Sequence, residues 1–266
     1  MVSGGIIALL FICGGLCTVL PFVAKAVFKA KNKDVNTSSF FIGCGIFILF
    51  ALILEQLLHS VMLPIVGKST VMYVIYGIFA AGIFEETGRF AAFKTVMKNR
   101  NDPKEAVMFG LGHGGAEAIL LAGLSLLSTA LTAVMLNNVG FEELTAMSSG
   151  GNAETAELVR SQLSAVSELT AVQVVCSLLE RIISMTFHTA MSVIVFESAR
   201  VKERLWLFPV SILLHAVSDL PAALYQRQVI PMWAVYPIMA VITAGIVWLA
   251  VRSFGRTREL CGEKGA

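Results

Sequence analysis

Eight ionisable side chains lie within stretches of the chain that are otherwise strongly apolar. They are Glu85, Glu86, Arg89, His113, Glu117, His188, His215 and Asp219. A charged group in the middle of a bilayer costs several kcal/mol, so a membrane span that keeps one is expected to use it. Carboxylates and imidazoles together can activate water, either as general bases or by holding a divalent metal.

The helical spacing on the first of these stretches joins two acids to one arginine. Arg89 follows Glu85 by four residues and Glu86 by three, so both carboxylates can reach its guanidinium and one can be held ionised. Neighbouring residues diverge by about 100° around a helix, so the two acids cannot point the same way. We expect one of them to do chemistry and the other to be structural.

The histidines also occur in pairs with acids. His113 precedes Glu117 by four residues, and His215 precedes Asp219 by four, so each pair shares one helix face. An aspartate one turn from a histidine can fix its tautomer and raise its basicity, and Glu117 is assigned a supporting position around the site. Several small residues surround His113 and would allow a neighbouring helix to approach closely. They are Gly110, Gly112, Gly114 and Gly115.

The same side chains include a candidate metal set. Two or three histidines with one acid are a plausible zinc site, and the candidates here are His113, His188, His215 and Glu86. The HExxH pattern of the zincins does not occur in the chain. The sequence leaves open one divalent metal such as Zn²⁺ or a metal-free glutamate mechanism.

Seven apolar stretches are long enough to cross a bilayer core about 30 Å thick, which takes roughly 20 helical residues. They are Gly5–Val23, Ser39–Leu58, Val71–Phe93, Ala106–Leu136, Leu169–Phe196, Leu205–Leu220 and Ile230–Val251. The predicted fold is an all-α polytopic bundle in a cell membrane of bacterial type. Residues 1–266 are expected to form a single integral membrane domain whose catalytic core covers about residues 71–222.

Basic residues predict the orientation of this bundle. Lysines and arginines gather in the links after the first, third and fifth spans and in the tail, whereas the other links hold few. The positive-inside rule then places the amino terminus outside and the carboxyl terminus in the cytoplasm. With a rise of about 1.5 Å per residue, four helices carry their acids and imidazoles near one level. We therefore expect one buried, water-containing polar site in the cytoplasmic half of the bilayer.

Residues 137–167 are predicted to form an extracytoplasmic loop. Within it, Met147–Asn152 reads as a flexible break and Ala153–Val166 as a short polar or amphipathic helix. Elsewhere, Glu55 and His59 are interpreted as interfacial or packing residues near a span end. The pair Glu180 and Arg181 is interpreted as structural.

The composition excludes several classes of protein. Charged residues make up 14% of the chain and apolar residues 56%, whereas a soluble domain carries about 25% charged residues. Intrinsic disorder needs low hydrophobicity and a high content of charge, which this chain lacks. Five cysteines are too few for a disulfide scaffold. A net charge of +2 does not indicate nucleic acid. The expected partners are the lipid bilayer and a membrane-associated protein or peptide substrate.

Three motifs resemble those of the CAAX-prenyl-endopeptidase and bacteriocin-processing (CPBP) proteases. They are Glu85-Glu86-Thr87-Gly88-Arg89, the later Phe187-His188, and His215-Ala216-Val217-Ser218-Asp219. The glycine-rich segment 109–117, which ends in Glu117, resembles a helix of the PrsW proteases. Taken together, residues 82–220 are most similar to the YhfC-type intramembrane metalloproteases.

This resemblance implies roles for particular residues. One of Glu85 and Glu86 would activate the hydrolytic water, and His188 and His215 would bind a metal or stabilise the oxyanion with help from Asp219. Two features depart from the CPBP pattern, because His188 lacks the FxxxH spacing and His113 is additional.

Two alternatives use the same cluster differently. A proton- or cation-coupled transporter can also place Asp, Glu and His within its spans, and a non-enzymatic scaffold is a third reading. The expected position of the cluster, mainly in one half of the bilayer, disfavours a path through the membrane.

Overall fold

The computed structural model describes residues 1–262 and the side chains of residues 1–260. Its regular elements within this range are all helical, with no strand, which confirms the predicted all-α fold. The α-helices are α1 Gly4–Lys31, α2 Ser38–Phe47, α3 Gln56–Val66, α4 Thr70–Lys94, α5 Lys104–Glu117, α6 Leu124–Val139, α7 Phe141–Ser149, α8 Ala153–Ser167, α9 Ala171–Arg200, α10 Leu207–Gln226 and α11 Met232–Gly262. The remaining helical segments are the π-helices Ile48–Glu55 and Ala118–Gly123 and the 3₁₀-helix Lys202–Arg204.

Six helical segments of the described chain are long and apolar enough to cross a membrane. They are Gly4–Lys31, Ser38–Val66, Lys104–Val139, Ala171–Arg200, Lys202–Gln226 and Met232–Leu260. The predicted multi-pass architecture is thereby confirmed. Helix α4 corresponds to the predicted span Val71–Phe93 and has 25 residues, but Glu85, Glu86 and Arg89 make it more polar than the six. The seventh span and the orientation of the termini stay predictions.

The segment after α6 is more helical than the sequence predicts. Helix α7 covers Phe141–Ser149, where no helix was expected, and so includes the first half of the predicted break Met147–Asn152. The break itself is short, because Gly150 and Gly151 take positive φ angles of 57° and 82° that glycine adopts without strain. Helix α8 then confirms the predicted Ala153–Val166 helix, extended by one residue.

The described chain divides into two compact units. One unit joins residues 1–20 to residues 118–181 and contains α6, α7 and α8. Arg160 of α8 donates two hydrogen bonds to the Glu142 carboxylate of α7, and these lower the pKa of Glu142. A small apolar cluster fills this unit around Val2, Ala133, Leu136, Leu144 and Leu163.

The other unit joins residues 21–117 to the chain from residue 182 onward, and it holds all eight candidate site residues. Its largest apolar cluster packs α4, α5, α9, α10 and α11 together. The rings of Phe93, Phe109 and Phe196 are fully buried there, with centroids of neighbouring rings about 5 Å apart. This core holds the ends of the helices that carry the site.

Glycines on α2 and α5 allow the helices of this unit to pack at short distance. An added Cβ at Gly112 would overlap the carbonyl oxygen of Phe40, and one at Gly43 would overlap that of Phe109. On another side of α5, a Cβ at Gly110 would lie 2.5 Å from the Cα of Thr189. The expected close approach of neighbouring helices to the glycine-rich segment is confirmed.

Substitution of Gly43 tests this contact. Because an added methyl group meets main chain that cannot move aside, Gly43→Ala should lower the free energy of unfolding by about 1–3 kcal/mol. Gly45 lies on the same helix and has open space at its Cβ position. Gly45→Ala should therefore leave the melting temperature in detergent unchanged or slightly raised. Equal melting temperatures for the two variants would contradict the proposed packing.

Candidate functional site

Four helices of one unit bring the predicted side chains together. Helix α4 carries Glu85, Glu86 and Arg89, α5 carries His113 and Glu117, α9 carries His188, and α10 carries His215 and Asp219. Six of these residues are buried, and Glu117 and Asp219 are the two that retain more exposure. The structure thus assembles the whole predicted set into one cluster.

Arg89 lies at the centre of the cluster and is completely buried. One terminal nitrogen donates a hydrogen bond to Oε1 of Glu86. The other lies 3.2 Å from Oε2 of Glu85 and 2.5 Å from Nδ1 of His188. Both acids reach the guanidinium, as the spacing predicts. Arginine stays protonated in proteins, so this buried positive charge requires at least one ionised carboxylate beside it.

The two adjacent acids contact different histidines. Oε2 of Glu85 lies 2.8 Å from Nε2 of His113 and 3.6 Å from Nδ1 of His188. Its other oxygen, Oε1, faces Nε2 of His215 at 3.9 Å. Glu86 instead lies 2.6 Å from Nδ1 of His215. The divergence of neighbouring residues around the helix therefore separates the two carboxylates as expected.

Glu86 determines how the imidazole of His215 is held. Because a carboxylate only accepts, Nδ1 of His215 carries the hydrogen that it donates to Glu86. Nε2 is then directed toward Glu85 and toward Asp219, whose Oδ2 is 3.4 Å away. The sequence predicts that Asp219 orients His215, whereas in the structure the shorter contact to His215 comes from Glu86. The Asp219 side chain is 34% exposed.

Glu117 holds the imidazole of His188, as Glu86 holds that of His215. Nε2 of His188 donates to Oε2 of Glu117 over 2.7 Å, and the Ser184 hydroxyl donates to the same oxygen over 2.6 Å. With its hydrogen on Nε2, His188 turns the lone pair of Nδ1 toward Arg89 and Glu85. Sequence reasoning missed Ser184, although it precedes His188 by four residues on one helix face.

Aromatic rings enclose the imidazoles. Phe47 packs edge-on against His113 with ring centroids 5.3 Å apart, and Phe187 packs against both His188 and His215 at 4.9 and 5.1 Å. These apolar walls limit the rotation of the rings. They also keep bulk water away, which strengthens every charge interaction in the cluster.

Glu85, His113 and His188 form a group that fits a divalent metal. Each offers one ligand atom, and these atoms lie within 4.8 Å of one another. A carboxylate with two imidazoles is a donor set used for zinc, and Glu117 supplies the hydrogen bond that commonly orients a ligating histidine. The predicted set contained Glu86 and His215, but here these two are hydrogen-bonded to each other and Glu85 joins the histidines instead.

Two further observations bear on this fit. Nδ1 of His113 is buried and has no hydrogen-bond partner among the described residues. Nε2 faces Oε2 of Glu85 at 2.8 Å, so a metal bound between these two atoms would take the place of their hydrogen bond, and the hydrogen of the ring would move to Nδ1. Nδ1 of His188 has one lone pair, which faces the Arg89 guanidinium at 2.5 Å, so a metal bound at this nitrogen would displace Arg89 from it.

Other ionisable pairs do not include any of these eight residues. Glu180 and Arg181 belong to the other unit and contact each other at 2.5 Å. Glu55 is buried and lies 3.2 Å from His59, whose Nδ1 is 2.7 Å from the Tyr76 hydroxyl. The packing interpretation holds for Glu55, but sequence reasoning missed Tyr76, which no spacing links to His59.

The fold and the cluster together define a multi-pass helical membrane protein with one buried site of Glu, Arg and His side chains shared by four helices. The chain belongs to the YhfC family, since the family model described as YhfC intramembrane metalloprotease matches residues 16–242. This confirms the resemblance to that family, whereas kinship with PrsW and the CPBP proteases stays a prediction.

A bacterial relative supports the same assignment. The chain is 32% identical over 253 residues to the "Uncharacterized membrane protein YhfC" of Bacillus subtilis (strain 168). The alignment covers 92% of this chain and 95% of that protein. No solved structure matches the chain significantly.

The central position of Arg89 can be tested by replacing it. Arg89→Leu leaves two buried acids without their counter-charge and should cost about 3–5 kcal/mol of folding free energy. Arg89→Lys should recover only part of this loss, because one ammonium cannot reproduce the guanidinium contacts to three residues. Thermal unfolding in detergent measures both effects. Arg160→Leu, at an exposed ion pair, is the control and should shift the melting temperature little. An Arg89→Leu variant as stable as this control would contradict the central role of Arg89.

Proposed function

We propose that the protein is an intramembrane protease that hydrolyses a peptide bond in a membrane-associated protein or peptide, using water activated by Glu85. The contacts of Glu85 carry this proposal. Its carboxylate touches Arg89, His113 and His188 and faces His215, so it lies next to a histidine from each of three other helices. The family match favours this function over the transporter that the same cluster suggests.

Glu85 and Glu86 have different parts in this proposal. Glu86 is completely buried and is already bound to Arg89 and His215, so it positions these two groups. Glu85 has an oxygen, Oε1, that faces His215 across 3.9 Å. Oε1 of Glu85 is therefore our assignment for the atom that takes the proton from the attacking water.

Arg89 supports the reaction by its charge, and His215 supports it by the direction in which its Nε2 points. The guanidinium of Arg89 lies 3.2 Å from the Glu85 carboxylate and balances its charge. Nε2 of His215 points toward Glu85 and Asp219, and when protonated it can donate a hydrogen bond to the oxyanion of the tetrahedral intermediate. Asp219 lies 3.4 Å from this nitrogen and can orient it.

We assign the metal expected from the family to Glu85, His113 and His188. Glu117 would orient His188, and Glu86 and His215 would stay outside the ligand set because they bind each other. A divalent metal such as Zn²⁺ would supply Lewis acidity and lower the pKa of a bound water. The protein would hold it in a dry pocket walled by Phe47 and Phe187.

The role of Glu85 is tested by an isosteric replacement. Glu85→Gln keeps the shape of the side chain but removes its ability to take a proton and its negative charge as a metal ligand, so cleavage should fall by at least about 10²–10⁴-fold. The substrate can be sought at the same time, by mass spectrometry of new protein termini in membranes that contain the wild type or the variant. Termini produced by this protein should be present with the wild type and absent with Glu85→Gln.

Glu180→Gln is the matched control, because Glu180 is also a span acid paired with an arginine but belongs to the other unit. It should yield the same termini as the wild type. If Glu85→Gln produces the wild-type termini at the wild-type rate, the proposed base is wrong.

The proposed metal ligands are tested by measuring the zinc content of the purified protein. Protein purified without chelator should contain about one zinc per chain by elemental mass spectrometry. His113→Ala and His188→Ala should each lose most of this zinc, because a removed ligand weakens binding strongly. His59→Ala, which changes a histidine outside the set, should retain it. An active wild-type protein without stoichiometric metal would contradict the assignment.

A further inference from the structure

A second group of polar side chains lies beside the site. Glu55 lies 3.2 Å from His59, and the ring of His59 contacts the Tyr76 hydroxyl at 2.7 Å. Nε2 of His59 thus faces Glu55, and Nδ1 faces the Tyr76 hydroxyl, so the three side chains form one connected polar group. The oxygen of Tyr76 keeps a lone pair for a further partner.

Two of these side chains, His59 and Tyr76, border a cavity of about 300 Å³. Its polar lining consists of His59, Tyr73, Tyr76, Asp219 and Gln226. Tyr73 donates a hydrogen bond of 2.8 Å to Gln226, so both walls of the cavity present polar atoms. Space of this size is enough for several water molecules, and a polar lining of this kind stabilises them.

Asp219 belongs both to this cavity and to the candidate site. Its side chain is 34% exposed, while that of His215, its neighbour at 3.4 Å, is 2% exposed. The carboxylate of Asp219 therefore stands between the buried imidazole and the open space. A group that enters the cavity meets Asp219 first and His215 next.

The cavity lies toward the ends of its helices. Arg227, which follows α10, stacks on the Tyr73 ring with its guanidinium carbon 4.4 Å from the centroid, and it donates to the carbonyl of Gly67 after α3. A charged side chain at this level marks the polar end of the helices. In the predicted orientation this end faces outward.

We propose that the cavity is the aqueous entrance to the site and binds the water that Asp219 and His215 pass on to Glu85. The use of this water for hydrolysis rests on the proposed function, whereas the presence of water in the cavity does not. Polar side chains within membrane helices are stabilised when they face water or each other, and this lining offers them an aqueous surface.

Cysteine accessibility tests the entrance without any substrate. Gly77 lines the cavity and has open space at its Cβ position, so Gly77→Cys places a thiol there without a clash. The five native cysteines are first replaced by alanine. A charged methanethiosulfonate is then applied to open membrane fragments, where it reaches both membrane faces. A thiol in water ionises and reacts, whereas a thiol in lipid does not, so Gly77→Cys should label at least about tenfold faster than a lipid-facing control.

Matched controls come from the same helices. Ile75→Cys is the control on α4, because Ile75 is an exposed apolar residue two positions away and outside the cavity lining. On α10, Ala222→Cys probes the opposite wall, with the exposed Val217 as its control position. If Gly77→Cys does not fold, the α10 pair still gives the result.

The outcomes separate this proposal from the proposed function. Fast labelling at both cavity positions, with slow labelling at both controls, supports the entrance. Labelling no faster than at the controls would overturn it and would mean that the cavity is filled by lipid or by an apolar segment. Cleavage that depends on Glu85 would then survive as a separate result, just as fast labelling would survive a failure to find cleavage.

Discussion

The buried guanidinium of Arg89 is the constraint on which the site depends. A permanent positive charge at zero exposure must be balanced nearby, and Glu85 and Glu86 on the same helix do this at a distance of one turn. This ion pairing fixes both carboxylates. His188 contacts Arg89, and His215 contacts Glu86. The residues that balance the buried charge are therefore the same residues that build the candidate site.

Close helix packing is the second requirement. Helix α5 lies directly against α2, where Gly43 and Gly112 leave no side chains between the two backbones. From this position, His113 of α5 reaches Glu85 of α4. Small residues are the means by which membrane helices gain such proximity, since the hydrophobic effect does little between helices in lipid. The glycines around His113 therefore let the helices approach each other, just as Arg89 balances the charge of the buried acids.

The sequence predicts much of this arrangement because the cost of a charge in lipid makes each one informative. The multi-pass architecture, the set of eight residues and the contacts of Arg89 with Glu85 and Glu86 follow from composition and from spacing along single helices. The pairing between helices does not, since it depends on how each helix is rotated against its neighbours. Thus Glu117, which shares a helix face with His113, contacts His188, and the acid that lies near both His113 and His188 is Glu85, whereas the predicted metal set has Glu86. Helix α7 has only nine residues, which is too short for a sequence pattern to predict a helix.

Anomalous X-ray diffraction at the zinc edge, on crystals of the active protein, tests the central claim most directly. The account predicts one strong anomalous peak within bonding distance of Glu85, His113 and His188. It also predicts that Glu86 and His215 remain bound to each other outside the coordination sphere. A peak coordinated by Glu86 and His215, or no peak in a protein that cleaves, would contradict it.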